Sequence, residues 1–247
     1  MMLCGFVFAS QVMADDFFTA SDFENYNIDL YDGVNDNKAN YVLAAENIKT
    51  NFGLDKNGNI GQSTVIDCPN MTKDQIYVQA VMWYQKLFGK KVQCQEIMND
   101  RATGTLVVER VLEDIAKDRK WNAWKGFEGA YVNILARISL EIKDGKCRLT
   151  TTIKDYGIGT IKTNAYGMKF KSKKTKACPP KDNFPFELQL PAGMKKGDVK
   201  DAQKEYKKNT SIAAKAYVMS YIYTQVIHDK LSNFLMDNSA AGTTEDW

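Results

Sequence analysis

Between residues 130 and 154 apolar and polar side chains alternate almost without a break, and this run limits what the chain can fold into. Val132, Ile134, Ala136, Ile138, Leu140 and Ile142 fall on one side of an extended strand, and Asn133, Arg137, Ser139 and Glu141 on the other, because successive strand residues point to opposite faces. Asp144-Gly145 closes a tight turn, glycine tolerating the positive φ that such turns need. Cys147, Leu149, Thr151 and Ile153 then continue the dry side opposite Arg148, Thr150, Thr152 and Lys154. Two antiparallel strands with one dry and one wet face require a layer of helix over the dry one.

Two stretches can supply that layer. Thr72 stands three residues before Gln75, the spacing at which each side chain satisfies the other's free backbone N–H at a helix start. Ile76, Ala80, Trp83, Tyr84 and Leu87 follow at helical spacing, and Gly89 is a stop. The second stretch, 201–237, carries Ile212, Ala216, Met219, Tyr223, Ile227, Leu231 and Leu235 on one stripe; its polar gaps leave one long helix or two consecutive ones open. His228 lies beside the stripe, and without an evident catalytic partner it reads as structural.

The unit before the first helix opens the fold. Asn57-Gly58 is a turn signal, residues 63–68 are β-branched and short, and Pro69 ends the strand. Asp55, Asn57 and Asn59 occupy the first, third and fifth places of a calcium loop. The sixth is Ile60 rather than Gly and the twelfth is Ile66 rather than Glu, so a plain hairpin turn is the reading. Further along, 91–98 reads as a strand, Asn99-Asp100 as a turn, and 102–109 as a returning strand with Gly104 at a bulge. Residues 110–120 fit both periods and are expected to begin as strand and end as a helical turn. Trp121, Trp124 and Phe127 then fall in a loop before the long strand.

Composition narrows the function classes. The chain has 247 residues, 44% of them hydrophobic, enough for a packed core. Net charge of +3 does not demand a polyanionic partner, and no apolar run approaches the ~20 residues of a membrane span. A single histidine argues against histidine-based metal sites and Ser/Cys–His catalysis. No cofactor motif stands out. Residues 1–14 are uncharged and end in Val12-Met13-Ala14, as a secretory signal peptide does. The basic start of such a peptide is missing, which leaves open whether the true start lies upstream of Met1. Leu3 before Cys4 is not the small residue that a lipid anchor needs. Cys68, Cys94, Cys147 and Cys178 remain beyond the leader. Their even count permits disulfides in three pairings, but they serve equally as small buried hydrophobes. The expected division is a signal peptide at 1–14, an acidic, Asn-rich leader at 15–53, one α+β domain at 54–237 with a Lys-rich insertion at 157–200, and a tail at 238–247.

The order strand, helix, four antiparallel strands, helix, with Asp55 to Ile60, Asp67-Cys68-Pro69-Asn70-Met71-Thr72 and the hairpin from Ile138 through Asp144-Gly145 and Cys147, resembles an exported bacterial family catalogued as domain of unknown function 4468. The resemblance covers about residues 54–156. It implies a TBP-like fold, β-α-β(4)-α, with a curved antiparallel sheet and helices packed on one face. It also implies a cell-envelope setting, and it supplies no catalytic residues. The expected function is therefore a non-catalytic binding or interaction module in the periplasm or cell envelope of a Gram-negative bacterium, with a glycan, a small hydrophobic ligand or an envelope protein as partner. The alternatives are an envelope enzyme, for which Glu109 and Asp114 are one carboxylate pair, and polyanion or nucleic-acid binding through the lysine cluster. The candidate recognition surface is Trp121, Trp124, Lys171, Lys173 and Lys174. Loop tryptophans stack on sugars or partners, and clustered lysines meet anions.

Overall fold

The computed structural model describes residues 18–24, 26, 38–88, 94–122, 126–163, 169–171, 176–183 and 193–241. The expected signal peptide lies outside them. The elements run α1 (Ala20–Glu24), α2 (Lys38–Ile48), β1 (Ile60–Asp67), α3 (Lys73–Phe88), β2 (Cys94–Asp100), β3 (Thr105–Asn122), β4 (Gly126–Lys143), β5 (Lys146–Thr163), β6 (Lys169–Lys171), β7 (Lys176–Cys178), α4 (Pro180–Asn183) and α5 (Lys196–Ala241). The fold is α+β. One seven-stranded sheet has the order β1-β5-β4-β3-β2, and β6 and β7 pair with β5 further along its length. Every pairing is antiparallel.

The alternation read from the sequence sets the faces. Ile134, Ala136, Ile138, Leu140 and Ile142 of β4 and Cys147, Leu149 and Ile153 of β5 are buried. They face α3 and α5: the Tyr84 hydroxyl of α3 donates to the Ile138 carbonyl at 3.3 Å, and Ser220 of α5 meets the Tyr156 hydroxyl at 3.2 Å. The 201–237 stripe is one uninterrupted helix. At 1.5 Å per residue, its 46 residues reach roughly 69 Å, longer than the 18-residue strands below it at roughly 60 Å.

The start of α3 is fastened from three sides. The Thr72 N–H donates to Gln75 Oε1 at 2.8 Å, and the Gln75 N–H donates back to Thr72 Oγ1 at 3.3 Å, as the spacing predicts. Asp144, from the β4–β5 turn, accepts the Lys73 N–H at 2.7 Å, which places a carboxylate at the positive end of the helix. The Lys73 ammonium reaches the Ala102 carbonyl at 2.6 Å. Three turns far apart in sequence thus meet at one end of the sheet.

Four local expectations need correction. The turn after β2 is Arg101–Gly104 and not Asn99-Asp100: Asp100 Oδ1 accepts the N–H groups of Ala102 and Thr103 at 2.9 and 3.2 Å, and Gly104 closes the turn with φ 75°. Residues 110–120 do not end as a helical turn; they belong to β3. Their mixed period comes from a bulge. Leu112 pairs with Ile134 and Ala116 with Val132, so residues 113–115 oppose Asn133 alone and the in–out phase slips. Asp114 there has φ 56°, and its N–H is held by Asn133 Oδ1 at 2.8 Å. Trp121 and Phe127 are not in a loop but are paired strand residues of β3 and β4. Residues 157–163, assigned to the insertion, continue β5. A Cβ on Gly159 would meet the Tyr131 ring at 2.3–2.5 Å. The glycine makes room for an aromatic lying across the strand.

The expected leader also contributes to the core. Phe18, Phe23, Tyr41, Ala45 and Phe52 are buried, and the Tyr217 hydroxyl of α5 donates to the Phe52 carbonyl. Phe18, Phe23, Tyr41 and Phe52 each meet a side chain of α5, and Phe18 and Phe23 also meet each other. Cys68 and Cys147 are buried free thiols, and burial pushes the Cys147 thiol up to about 12.

Replacing Thr72 or Asp144 by Ala is expected to cost about 1 kcal/mol each, the usual cost of losing a helix cap. The double variant should cost less than the sum because both act on one helix end. Urea midpoints at constant slope measure this; unchanged midpoints would contradict the capping role.

Candidate functional site

The sheet face turned away from the helices is the candidate recognition surface. On it lie Val107, Glu109 and Val111 of β3, Leu135, Arg137 and Ser139 of β4, Thr150, Thr152 and Lys154 of β5, and Ser63 and Val65 of β1. All are partly or well exposed, Val65 by 54%. Strand register places Glu109, Arg137 and Thr152 in one row across β3, β4 and β5. Lys154 follows two residues after Thr152 on β5.

Glu109 is the centre of this row. Its Oε1 accepts from Arg137 Nη2 at 2.6 Å, Arg137 Nε at 2.8 Å and Lys154 Nζ at 2.7 Å. The Glu109 side chain is 14% exposed, against 41% for Arg137 and 34% for Lys154. Burial alone would raise the Glu109 carboxyl; the hydrogen bonds from Lys154 and Arg137 outweigh it and hold the group below the usual carboxylate range. The result is a fixed carboxylate carrying two half-exposed cations, with one excess positive charge. A second pair, Arg148 Nη1 to Glu141 Oε2 at 3.4 Å, lies on the same face, and Ser63 and Thr150 join their hydroxyls at 2.8 Å. This surface can offer donors, hydroxyls and apolar contacts.

On the helix side the one histidine is buried. His228 is 3% exposed. Its Nδ1 lies 2.8 Å from Thr64 Oγ1 of β1 and its Nε2 3.1 Å from Thr151 Oγ1 of β5. Burial pushes its pKa down to about 4, against the pull of Asp229. The neutral ring bonds both strands to α5, a structural role as the sequence suggested. Glu109 and Asp114 do not act as a pair: Asp114 Oδ2 has its own cation, Lys117, at 3.1 Å. Asp55 Oδ1 accepts the N–H groups of Asn57 and Asn59 at 2.7 and 2.9 Å, so the supposed calcium loop is a turn closed by its own aspartate. Among the described residues no group of three His, Cys, Asp or Glu side chains is placed to hold a metal.

Of the residues singled out in the sequence, Trp121 sits in β3 opposite Phe127, and Lys171 sits in β6 opposite Ile161. Trp124, Lys173 and Lys174 lie outside the described residues. The Glu109–Arg137–Lys154 network was not among the candidates, although Arg137 and Lys154 had been placed on the wet face. Cross-strand register is what joins them, and the alternation alone does not set it.

Residues 63–156, from within β1 to Tyr156 of β5, match the family described as "Domain of unknown function (DUF4468) with TBP-like fold". The chain is similar to a TBP-like protein from Parabacteroides distasonis, with 14% identity and a TM-score of 0.40, over 74% of this chain and 96% of that one. It is similar also to a DUF4468 family protein from Bacteroides ovatus, with 18% identity and a TM-score of 0.30, over 64% and 82%. No curated protein matches.

Glu109→Gln keeps the shape of the network and removes its anion. The expected loss is about 1 kcal/mol of stability, since the cations are partly in water. The difference from wild type should shrink in 1 M NaCl, where screening acts within about 3 Å. Equal stability at low salt would contradict the network as drawn. His228 makes acid costly: its pKa is 6.5 unfolded and about 4 folded, so its contribution is complete above pH 6.5 and is lost as pH falls toward 4, by about 3 kcal/mol. A His228→Gln variant should lack that portion of the pH dependence; parallel wild-type and variant profiles between pH 7 and 4 would count against it.

Proposed function

We propose that this chain, whose residues 63–156 match the DUF4468 family, is a non-catalytic binding module of the bacterial cell envelope that meets its partner on the uncovered sheet face. The observation that carries the reading is the contrast between the two faces. On the helix side His228 is buried among hydroxyls and cannot exchange protons with a substrate. On the open side the Glu109–Arg137–Lys154 network and Val65 stay accessible on a sheet held rigid by three 18-residue strands. A surface of fixed mixed charges with apolar patches suits selective contact with a protein or glycan more than a polyanion, because Glu109 and Glu141 already balance two of the three cations Arg137, Arg148 and Lys154. The envelope setting rests on the uncharged apolar segment 1–14 and the Ala14–Asp15 junction.

Two measurements test it. In cells expressing the full chain, the envelope fraction should hold a product beginning at Asp15; a cytoplasmic product that retains residues 1–14 would remove the localisation. A photo-crosslinking residue at Thr152 or Val65 should yield a defined adduct in such cells, and one at Gln85, on the exposed side of α3, should not. Equal labelling from both faces, or none from the sheet, would overturn the recognition surface.

A further inference from the structure

Glu109 uses only one edge of the Arg137 guanidinium. Nε and Nη2, the donors along that edge, both reach Glu109 Oε1, at 2.8 and 2.6 Å. The other edge, Nη1 with the second Nη2 proton, meets no acceptor among the described residues, and the Arg137 side chain is 41% exposed. A guanidinium held by one carboxylate on its side edge presents its end as a fork, already oriented for a second carboxylate. Lys154 gives one bond to the same Oε1 and keeps two further donors.

One step along β4 the sheet carries the opposite need. Leu135 pairs with Asp155, whereas Ala136 pairs with Ile153. Lys154 is the extra residue of this bulge, so Lys154 and Asp155 both turn to the side of Leu135, the open face. Asp155 Oδ1 is buried and meets no donor among the described residues. Lys154 precedes it and Arg137 is its diagonal neighbour across the strands, but Glu109 holds both cations. A carboxylate oxygen left without a donor is costly, and the soft terminal torsion of an aspartate lets an arriving cation draw it outward. Arg137 thus lacks an anion and Asp155 a cation. Their diagonal positions lie about 7–8 Å apart. Alternate side chains of an extended peptide share a face at about 6.8 Å.

We propose that the open face reads an extended protein segment with an acidic and a basic side chain two residues apart, the acid on the Arg137 fork and the base on Asp155. This inference rests on the sheet-face reading and narrows its partner from protein or glycan to protein. An acidic sugar fills the fork and leaves Asp155 unmet, and a run of acids is repelled by Asp155.

The test titrates a short synthetic peptide of threonine and valine, with glutamate and lysine two residues apart, into the full chain. Amide chemical shifts of β4 and β5 report binding. Changing the peptide's glutamate or its lysine to glutamine should each weaken binding about fivefold, the ratio one partly exposed ion pair supports. Arg137→Lys keeps the charge and loses the fork; it should weaken the glutamate peptide about fivefold and leave its glutamine counterpart unchanged. Asp155→Lys should reverse the second preference and favour a peptide with glutamate at both places. The proposal is overturned if no saturable shift appears in β4 and β5 up to about 10 mM peptide. Equal binding of the glutamine peptides overturns it too, as does an unreversed preference in a folded Asp155→Lys variant. A Thr152 crosslink that persists in cells beside such a failure leaves the sheet face standing with a partner of other chemistry. Absence of that crosslink removes the sheet face and this proposal together.

Discussion

Burial of one face of the β4–β5 hairpin beneath α3 and α5 is the contact on which the other features depend. Ile138, Leu140 and Leu149 have no exposed surface, and each such side chain contributes about 1.5–3 kcal/mol by leaving water. A slip of one residue would turn this whole set toward solvent. The register is therefore held, and with it the row Glu109, Arg137 and Thr152 on the opposite face. The proposed recognition surface is the reverse side of the core.

The seam between α5 and β1 is less apolar than its depth suggests. His228 bridges Thr64 and Thr151, and Gln225 donates to Gln62. Buried polar groups are costly unless paired, and these pairs select one placement of α5 along the strands where apolar contacts alone would tolerate sliding. The same turn of α5 carries Asp229 and Lys230, which hold Tyr26 and Asp22. Helix register, sheet register and the docking of the N-terminal segment are thus tied through one turn of one helix.

Much of this architecture was legible because alternation and capping are local. The β4–β5 hairpin, the Thr72–Gln75 cap and the stripe of α5 each follow from spacing within one stretch. What misled was also local: the bulge at residues 113–115 broke the alternation and imitated a helical period. Asp144 as a cap for α3 was illegible, because its partner Lys73 lies 71 residues away. The aromatics Phe18, Phe23 and Phe52 had no period to read, since their partners on α5 lie far along the chain.

By itself the sequence determined the α+β class, the dry and wet sides of the central hairpin, the start of α3, the apolar stripe of α5 and the structural character of the lone histidine. These are consequences of side-chain period and of backbone groups that need a partner close by. Only the tertiary structure decided which wet-side residues become neighbours, where the bulges bend the sheet, and that the N-terminal segment lies on α5 and Arg110. Those are settled by register and packing between segments far apart in the chain, where no local spacing carries the information.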